Sequence, residues 1–286
     1  MIDGIEIIDF RARPPSPQFI DYFSLEHVRF FAERQVVGDL SPSYYAGSLD
    51  LFFQEADAAG VDKMVIINRI VPAAGGSPGC NISNDHIVDL VALKPDRMLG
   101  IGAVDVGGDL GDPLAEAERC LKVLGLRGIH ISPGRSSLLA ACDDRRLYPL
   151  YETCVALKAA LVVMSGPFSG PRLDSTHPLH IQKVATDFPT LDIVVGHGCW
   201  PYTNELIGVA YRHTNVYISS DSYLYMPSAS ELITAVGGFL QDQFIYASSY
   251  PVGALGSAVQ RFTALPYTRT VFEKTLAGNA RRVLRL

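Results

Sequence analysis

Two arginines near the start of the chain stand where an apolar run gives way to a loop. The run Ile5–Ile8 is typical of a short buried strand, and Pro14 and Pro15 end it. Side chains alternate along an extended segment, so Arg11 and Arg13 should leave the strand end on the same side. Two converging guanidinium groups predict an anion-binding corner. Considered alone, two solvated arginines on a loop are the simpler alternative.

A histidine between two glycines ends a second apolar run. Val194 and Val195 lead into Gly196, His197 and Gly198. Flanking glycines allow a sharp turn and leave the imidazole open to a ligand. Because an imidazole titrates near neutral pH, His197 is the first candidate for a general acid or base. Isolated histidines are more often structural, so this interpretation depends on where the strand end lies.

The elements that must position these residues alternate along the whole chain. Eight apolar runs rich in Val and Ile are separated by helical patterns, as in a buried parallel sheet. We therefore predict an α/β fold, a (β/α)8 TIM barrel, forming a single domain over residues 1–286. A doubly wound sheet is the alternative, but no Gly-rich turn follows the first run. The runs are Ile5–Ile8, Met64–Ile67, Met98–Val104, Gly128–Ile131, Ala160–Met164, Asp192–Val195, Val216–Ser219 and Phe244–Ala247.

Residues at the carboxyl ends of barrel strands are candidates for a common site. Asp221 would orient His197 or carry a second proton, and Arg69 would add positive charge for a polycarboxylate. His130 would contact substrate, whereas His177 would face the mouth or cap a helix. Ser249 would donate a hydrogen bond to substrate.

One long insertion interrupts the repeat after the first strand. Residues 14–48 carry a predicted helix from Phe19 to about Gln35 that is dense in aromatic residues. Long βα loops lie on the face of a barrel where active sites form. The insertion is therefore expected to be a lid or a subunit contact, the second alternative implying a homodimer. The segment Pro72–Gly79, rich in Gly and Pro, predicts another loop after the second strand.

Composition narrows the classes of partner. The 286 residues carry a net charge of −6 with a pI near 5.6, which argues against nucleic acid or an anionic membrane surface as a partner. Neither a run of 18 apolar residues nor a signal-peptide pattern is present. Five scattered cysteines do not suggest a disulfide framework. A reduced, cytoplasmic protein is expected.

Several stretches together resemble the amidohydrolase-related (amidohydrolase-2) family, whose members include proteins like aminocarboxymuconate-semialdehyde decarboxylase. The segment around His197, with Trp200 and Pro201, resembles the family's strand 6 signature. Ser249 and Tyr250 stand in a segment that resembles the family's Gly-Ser-Asp-Tyr-Pro motif, which makes both candidate substrate contacts. Further similar stretches are Leu126–Ile129, His177–Leu179, Val184–Ile193, Arg212–Tyr217 and Asn279–Arg282.

The chain departs from the family pattern at its metal ligands. The resemblance implies His-x-His after strand 1, a His after strand 5, the strand 6 His and an Asp after strand 8. This chain has Arg11 and Arg13 at the first pair, Met164 or Ser165 at the next and Ser249 at the last, so only His197 of the set remains. An arginine cannot coordinate a cation, because it keeps its proton and would repel the metal. We therefore expect neither a metal nor another cofactor.

The resemblance implies an enzyme acting on a small carboxylated substrate. Hydrolysis of a lactone or similar cyclic ester is the first expectation, because the family includes a metal-independent lactonase class. His197 would activate water while Arg11 or Arg13 polarises the carbonyl. The second is a lyase or isomerase on an unsaturated carboxylate: a decarboxylase, hydratase or tautomerase. The third is a barrel that binds a ligand without catalysis.

Overall fold

The predicted barrel is present in the computed structural model, which describes residues 4–35, 40–72, 79–107, 111–136 and 140–286. Seven parallel strands of these residues form one sheet in the order β1-β2-β5-β6-β7-β8-β9. β3 and β4 form a separate antiparallel pair after β2. The strands are β1 (Ile8–Asp9), β2 (Lys63–Ile67), β3 (Ile70–Val71), β4 (Cys80–Asn81), β5 (Met98–Ala103), β6 (Gly128–Ile131), β7 (Ala160–Met164), β8 (Ile193–Gly196) and β9 (Val216–Ser219).

The eighth predicted strand, Phe244–Ala247, closes the barrel through isolated bonds rather than a ladder. Ile245 donates its N–H to the Ile218 carbonyl at 2.9 Å, and Phe10 donates to the Tyr246 carbonyl at 3.0 Å. The N–H of Tyr246 is bonded instead to a carbonyl of the C-terminal helical segment. This diversion leaves the segment without regular pairing, although it still joins β9 to β1.

The first strand lies later in the sequence than predicted. Ile8 pairs with Lys63, and Asp9 pairs with Met64. Asp9 is therefore part of the sheet, with its carboxylate fully buried. The prediction ended the strand at Ile8 because the isoleucines end there and a buried carboxylate such as that of Asp9 is uncommon inside a parallel strand.

Helices flank the strands in the order expected of repeated βα units. Several begin at a serine or threonine whose hydroxyl accepts a backbone N–H, as Ser48 does from Leu51. The helices are α1 (Pro17–Tyr22), α2 (Leu25–Gln35), α3 (Pro42–Ala46), α4 (Leu49–Ala58), α5 (Asn84–Leu93), α6 (Gly111–Lys122), α7 (Tyr148–Ala156), α8 (Pro178–Asp187), α9 (Thr203–Arg212), α10 (Ser230–Gly237), α11 (Leu255–Thr263), α12 (Arg269–Glu273) and α13 (Asn279–Leu284). None of the described helices is long and apolar enough to cross a membrane.

Three helices, α1 to α3, occupy the region between β1 and α4. The single helix predicted from Phe19 to Gln35 is broken at Phe23 and Ser24. The Ser24 hydroxyl accepts the N–H of His27 at 3.3 Å, so the serine starts a new helix instead of continuing the first. The role of this insertion as lid or subunit contact stays a prediction. Most of the predicted loop Pro72–Gly79, residues 73–78, lies outside the described residues.

Candidate active site

Arg11, His197 and Asp221 come together although they are far apart in the sequence. Nη1 of Arg11 lies 2.8 Å from Nδ1 of His197 and also donates to Oδ2 of Asp221. The same Asp221 oxygen lies 3.2 Å from Nδ1 of His197. Arg11 is only 7% exposed, and the Asp221 side chain is fully buried. The three form a compact, largely desolvated cluster.

The backbone is unusual where the strands open toward this cluster. His197, Asp221 and Ser249 have φ values of 65°, 47° and 69°. Residues other than glycine rarely adopt this left-handed region, which costs on the order of 1–2 kcal/mol each. Such strain concentrates where side chains must take a fixed direction for function.

The charges of the cluster follow from burial and from Arg11. Burial first, and then the Arg11 charge, lower the pKa of His197 to about 4, against a partial opposing effect of Asp221. Burial alone would raise the pKa of Asp221, but Arg11 and His197 outweigh it and the pKa is lowered. At neutral pH the cluster therefore holds a neutral imidazole beside an arginine–carboxylate ion pair.

The shorter of the two contacts at Nδ1 favours one tautomer of His197: Arg11 lies at 2.8 Å, whereas the Asp221 oxygen, which would favour Nδ1–H, lies at 3.2 Å. A guanidinium can only donate hydrogen bonds, so Nδ1 carries the lone pair facing Arg11. The proton of the neutral ring is then on Nε2, the nitrogen left for a ligand. If Arg11 turned to a substrate anion, Nδ1 could instead donate to Asp221 and Nε2 would become a base.

A cavity of about 550 Å³ opens beside the cluster. Arg11 and His197 line it, and so do side chains from α1 and α2 of the insertion. The insertion therefore contributes directly to the candidate site. The other lining residues are Tyr22, Phe23, Ser24, Glu26, His27, Phe30, Phe31, Gln35, Arg69, Arg135, Phe168, Ser169, Tyr223, Ser249 and Val252.

The two arginines of the first motif do not face this cavity together. Arg11 lines it, whereas Arg13 is 2% exposed and is not among the lining residues. Arg13 lies over the Phe23 ring at 4.9 Å, and its Nε and Nη2 have no hydrogen-bond partner in the described chain. Burial, then the charges of Arg11 and Arg69, lower the pKa of Arg13. Of the two arginines predicted to form an anion-binding corner, only Arg11 lines the cavity.

Arg69 and Ser249, two of the predicted substrate contacts, lie in the cavity wall. Nε of Arg69 donates to the Tyr22 hydroxyl at 3.0 Å. The Ser249 hydroxyl lies 3.2 Å from the Ser222 hydroxyl. Their roles toward a substrate remain predictions.

His130 is placed beneath the mouth without lining the cavity. Its Nδ1 lies 2.8 Å from the carbonyl of Asn68, and its Nε2 lies 3.1 Å from the Ser132 hydroxyl. Nδ1 must donate to the carbonyl, so Nε2 accepts from the serine and the ring is neutral. With 1% exposure and both nitrogens bonded, His130 supports the strand ends.

His177 and Tyr250 also serve other contacts and do not line the cavity. Nδ1 of His177 accepts the N–H of Leu179 at 3.3 Å and so caps α8, the alternative weighed for it. The Tyr250 hydroxyl lies 2.7 Å from the Ser43 hydroxyl, and the side chain is fully buried. Tyr250 therefore joins the insertion to the barrel.

Several site residues could not be identified from the sequence patterns. Asp9 was hidden because it directly follows the apolar run of β1. Arg135 closes the Pro-Gly turn after β6, four residues past the strand end, which is the signal that could have found it. Tyr22 gave only a general aromatic signal within the insertion.

A parallel barrel whose ionisable side chains meet at the carboxyl ends of its strands belongs to the TIM-barrel class. The amidohydrolase family model matches residues 27–286, so the chain belongs to that family. It is similar to an uncharacterised TIM-barrel protein from Bordetella bronchiseptica, with 34% identity and a TM-score of 0.91 over 98% of this chain and 99% of that one.

Two curated relatives match over shorter lengths. A 2-amino-3-carboxymuconate-6-semialdehyde decarboxylase from Dictyostelium discoideum is 34% identical over 80 residues, 28% of this chain and 21% of the relative. A 2-keto-4-carboxy-3-hexenedioate hydratase from Sphingobium sp. (strain NBRC 103272 / SYK-6) is 25% identical over 138 residues, 42% of this chain and 40% of the relative. The matches therefore span well under half of either relative. Their names fit the lyase alternative better than the lactonase first expected.

The residues of this site do not fit the metal that the family resemblance implies. The described chain contains no group of three or more His, Cys, Asp or Glu side chains that could hold a metal ion. A guanidinium nitrogen of Arg11 contacts both His197, which is the one ligand of the family set that remains, and the neighbouring carboxylate of Asp221. A divalent cation would be repelled by that charge and would have to displace a buried ion pair.

Proposed function

We propose that this chain is a lyase acting on a small unsaturated carboxylate, by decarboxylation or by addition and removal of water. The observation that carries the proposal is the contact of Arg11 with both His197 and Asp221 at a cavity of about 550 Å³. A fixed cation beside a titratable ring suits reactions in which negative charge develops on an oxygen while a proton moves.

Arg11 is the group that stabilises charge in this proposal. When a carbonyl lies β to the carboxylate, directly or through a conjugated double bond, loss of CO2 leaves a carbanion delocalised onto oxygen. Removal of a proton beside a carbonyl leaves the same kind of enolate. A desolvated guanidinium stabilises such an enolate more strongly than water does. Asp221 holds Arg11 in place and limits the net charge of the site before a substrate binds.

His197 moves the proton. When Arg11 turns to the substrate anion, the ring gives its Nε2 proton to water and takes up a proton from water at Nδ1. Asp221 then accepts from Nδ1–H, and Nε2 faces the substrate with a lone pair. The negative charge of the substrate opposes the effects that lower the pKa of His197, so the ring can hold a proton during the reaction. It can then return that proton to carbon, or remove one from it.

The proposal can be tested by measuring activity toward conjugated and 2-keto carboxylates in D2O. Turnover is followed by ultraviolet absorbance, by released CO2 and by proton NMR of deuterium entering at carbon. We expect turnover by the wild-type protein. In His197→Asn, kcat should fall by a factor of roughly 10² or more, with little change in the Kd of the substrate. Asn tolerates the left-handed backbone at this position. Acid release from lactones without deuterium entry at carbon would show that the enzyme is a hydrolase instead.

A further inference from the structure

A second group of cationic side chains lines the cavity apart from the Arg11 cluster. Arg69 follows β2, and Arg135 ends the turn after β6; they are 8% and 6% exposed. The Tyr22 hydroxyl accepts Nε–H of Arg69 at 3.0 Å and Nη1–H of Arg135 at 3.3 Å. Both lone pairs of that hydroxyl are thus engaged, which leaves its proton free to donate into the cavity.

Arg69 differs from Arg11 in its neighbouring charges. Arg11 pairs with Asp221, whereas no carboxylate of the described residues lies within 4.0 Å of the Arg69 guanidinium. Glu26, which is exposed, is the one carboxylate among the cavity-lining residues. Burial and then Arg69 lower the pKa of Arg135, which shows that the two arginines repel each other. Buried like charges of this kind are stabilised by an anionic ligand.

Aromatic side chains line the same cavity. Phe31 and Phe168 meet edge to face with ring centroids 5.0 Å apart, and Tyr223 meets His197 in the same way at 5.0 Å. All of these residues line the cavity. Flat aromatic faces favour a planar, conjugated carbon skeleton over a bulky saturated one.

We propose that Arg69, Arg135 and Tyr22 form a second carboxylate subsite, so that the substrate is a planar unsaturated dicarboxylate. One carboxylate or enolate oxygen is bound at Arg11, and the other carboxylate accepts from the two guanidinium groups and the tyrosine hydroxyl. The assignment of the Arg11 end rests on the proposed function. Because Tyr22 belongs to α1, the second carboxylate also fixes the insertion against the barrel mouth.

Two matched probes separate one carboxylate from two. Muconate is a conjugated diene with a carboxylate at each end, and sorbate is the same diene with only one. Isothermal titration calorimetry gives the Kd of each for the wild-type protein. We expect muconate to bind roughly tenfold to a hundredfold more tightly, as a charge-assisted hydrogen-bonded contact predicts. Equal affinities, or no binding of either probe at millimolar concentration, would overturn the proposal.

Variants show which residues cause the preference for muconate over sorbate. Arg69→Gln should weaken muconate binding toward that of sorbate and leave sorbate unchanged, and Tyr22→Phe should have a smaller effect of the same kind. Arg212→Gln, the same charge change at an exposed position of α9 that is not among the cavity-lining residues, should keep the full preference. Circular dichroism confirms that each variant is folded. If Arg69→Gln weakens both probes equally, Arg69 is not a selective contact.

The same titrations test the second carboxylate subsite independently of the proposed lyase activity. His197→Asn should keep the preference for muconate although it loses turnover. An active wild-type enzyme without the preference would refute the subsite alone. A protein with the preference but without lyase activity would refute the proposed function alone.

Discussion

Gly166 lies against the imidazole of His197, close enough to exclude any side chain. A Cβ at position 166 would come within 2.8 Å of the His197 Cβ and 2.9 Å of its Cγ. The N–H of Gly166 is bonded to the Ser169 hydroxyl at 2.9 Å, so this loop cannot retreat without losing a buried hydrogen bond. Gly166 therefore determines where the ring of His197 stands.

Gly166→Ala should displace His197 from Arg11. An error near 1 Å in the position of a catalytic group costs on the order of 10²-fold in rate. We expect kcat in the lyase assay to fall by about this factor, with altered NMR shifts of the His197 ring protons. Gly208→Ala is the matched control, because that glycine is exposed within α9 and a Cβ there meets nothing within 4 Å. The control should keep its activity and gain about 0.5–1 kcal/mol of stability.

The depressed pKa of His197 makes stability depend on pH. Between the ordinary value of 6.5 and the folded value of about 4, the unfolded chain binds a proton that the folded chain excludes. The free energy of unfolding should therefore fall as pH drops through this window, by up to roughly 3 kcal/mol from this group. The lowered pKa of Asp221 acts in a separate window, below its ordinary value of 3.8.

Urea denaturation of the wild-type protein and His197→Asn between pH 4 and pH 7 isolates this contribution. Other histidines with lowered pKa values affect both proteins equally, so the difference between the two curves is the readout. A difference that is independent of pH would mean that His197 is not buried as a neutral ring. The shared histidines are His27, His86, His130 and His213.

The barrel could be predicted because its strands are buried on both faces. A buried parallel strand must be apolar along its length, and seven of the eight runs form ladders close to where the sequence placed them. The eighth, Phe244–Ala247, is equally apolar, but its bonding is shared with the C-terminal helical segment. The apolar pattern of a segment predicts that it is buried, but it does not predict which carbonyl its backbone N–H groups bind.

The site could be predicted only where function coincides with a strand end. Arg11, His197 and Asp221 each follow a strand closely, and the structure brings them together. Tyr22 reaches the cavity through the conformation of a helix in the insertion, which no spacing rule encodes, and Arg135 lies four residues past the end of β6, beyond the predicted strand-end positions. His177 was a candidate because it precedes a helix beside the predicted mouth, and that position is explained by its capping of α8.

Ser248→Ala should destabilise the end of β1. The Ser248 hydroxyl donates to Oδ2 of Asp9 at 2.5 Å, and the Ser248 N–H donates to Oδ1 at 2.8 Å. Burial raises the pKa of Asp9, opposed by these hydrogen bonds and by one from the Arg11 N–H. Loss of the hydroxyl leaves a buried carboxylate oxygen without its donor, which costs about 1–3 kcal/mol. Chemical denaturation measures the loss.

Ser257→Ala, a change of the same type on α11, serves as the comparison for Ser248→Ala, because Ser257 is only half-buried. We expect it to change stability by less than about 0.5 kcal/mol. Equal effects of the two substitutions would mean that the contact with Asp9 contributes nothing specific.

The position of Arg11 predicts how the protein responds to divalent metals. Nη1 of Arg11 contacts both His197 and Asp221, so a cation could reach those two side chains only by breaking a buried ion pair. Breaking such a pair costs about 3–5 kcal/mol, which a site with two remaining ligands does not recover. We therefore expect little retained zinc or manganese and no change of Tm after dialysis against EDTA.

Thermal unfolding with added metal gives the sharper comparison. A ligand that binds the folded state at 100 times its Kd raises stability by about 2.7 kcal/mol, so micromolar binding would be visible as a higher Tm. We expect zinc and manganese to leave the Tm of the wild-type protein unchanged. Arg11→Ala removes the guanidinium and exposes His197 and Asp221 to the cation, so any gain in Tm with metal should appear in this variant first. Tight metal binding by the wild-type protein would instead show that Arg11 leaves the cluster.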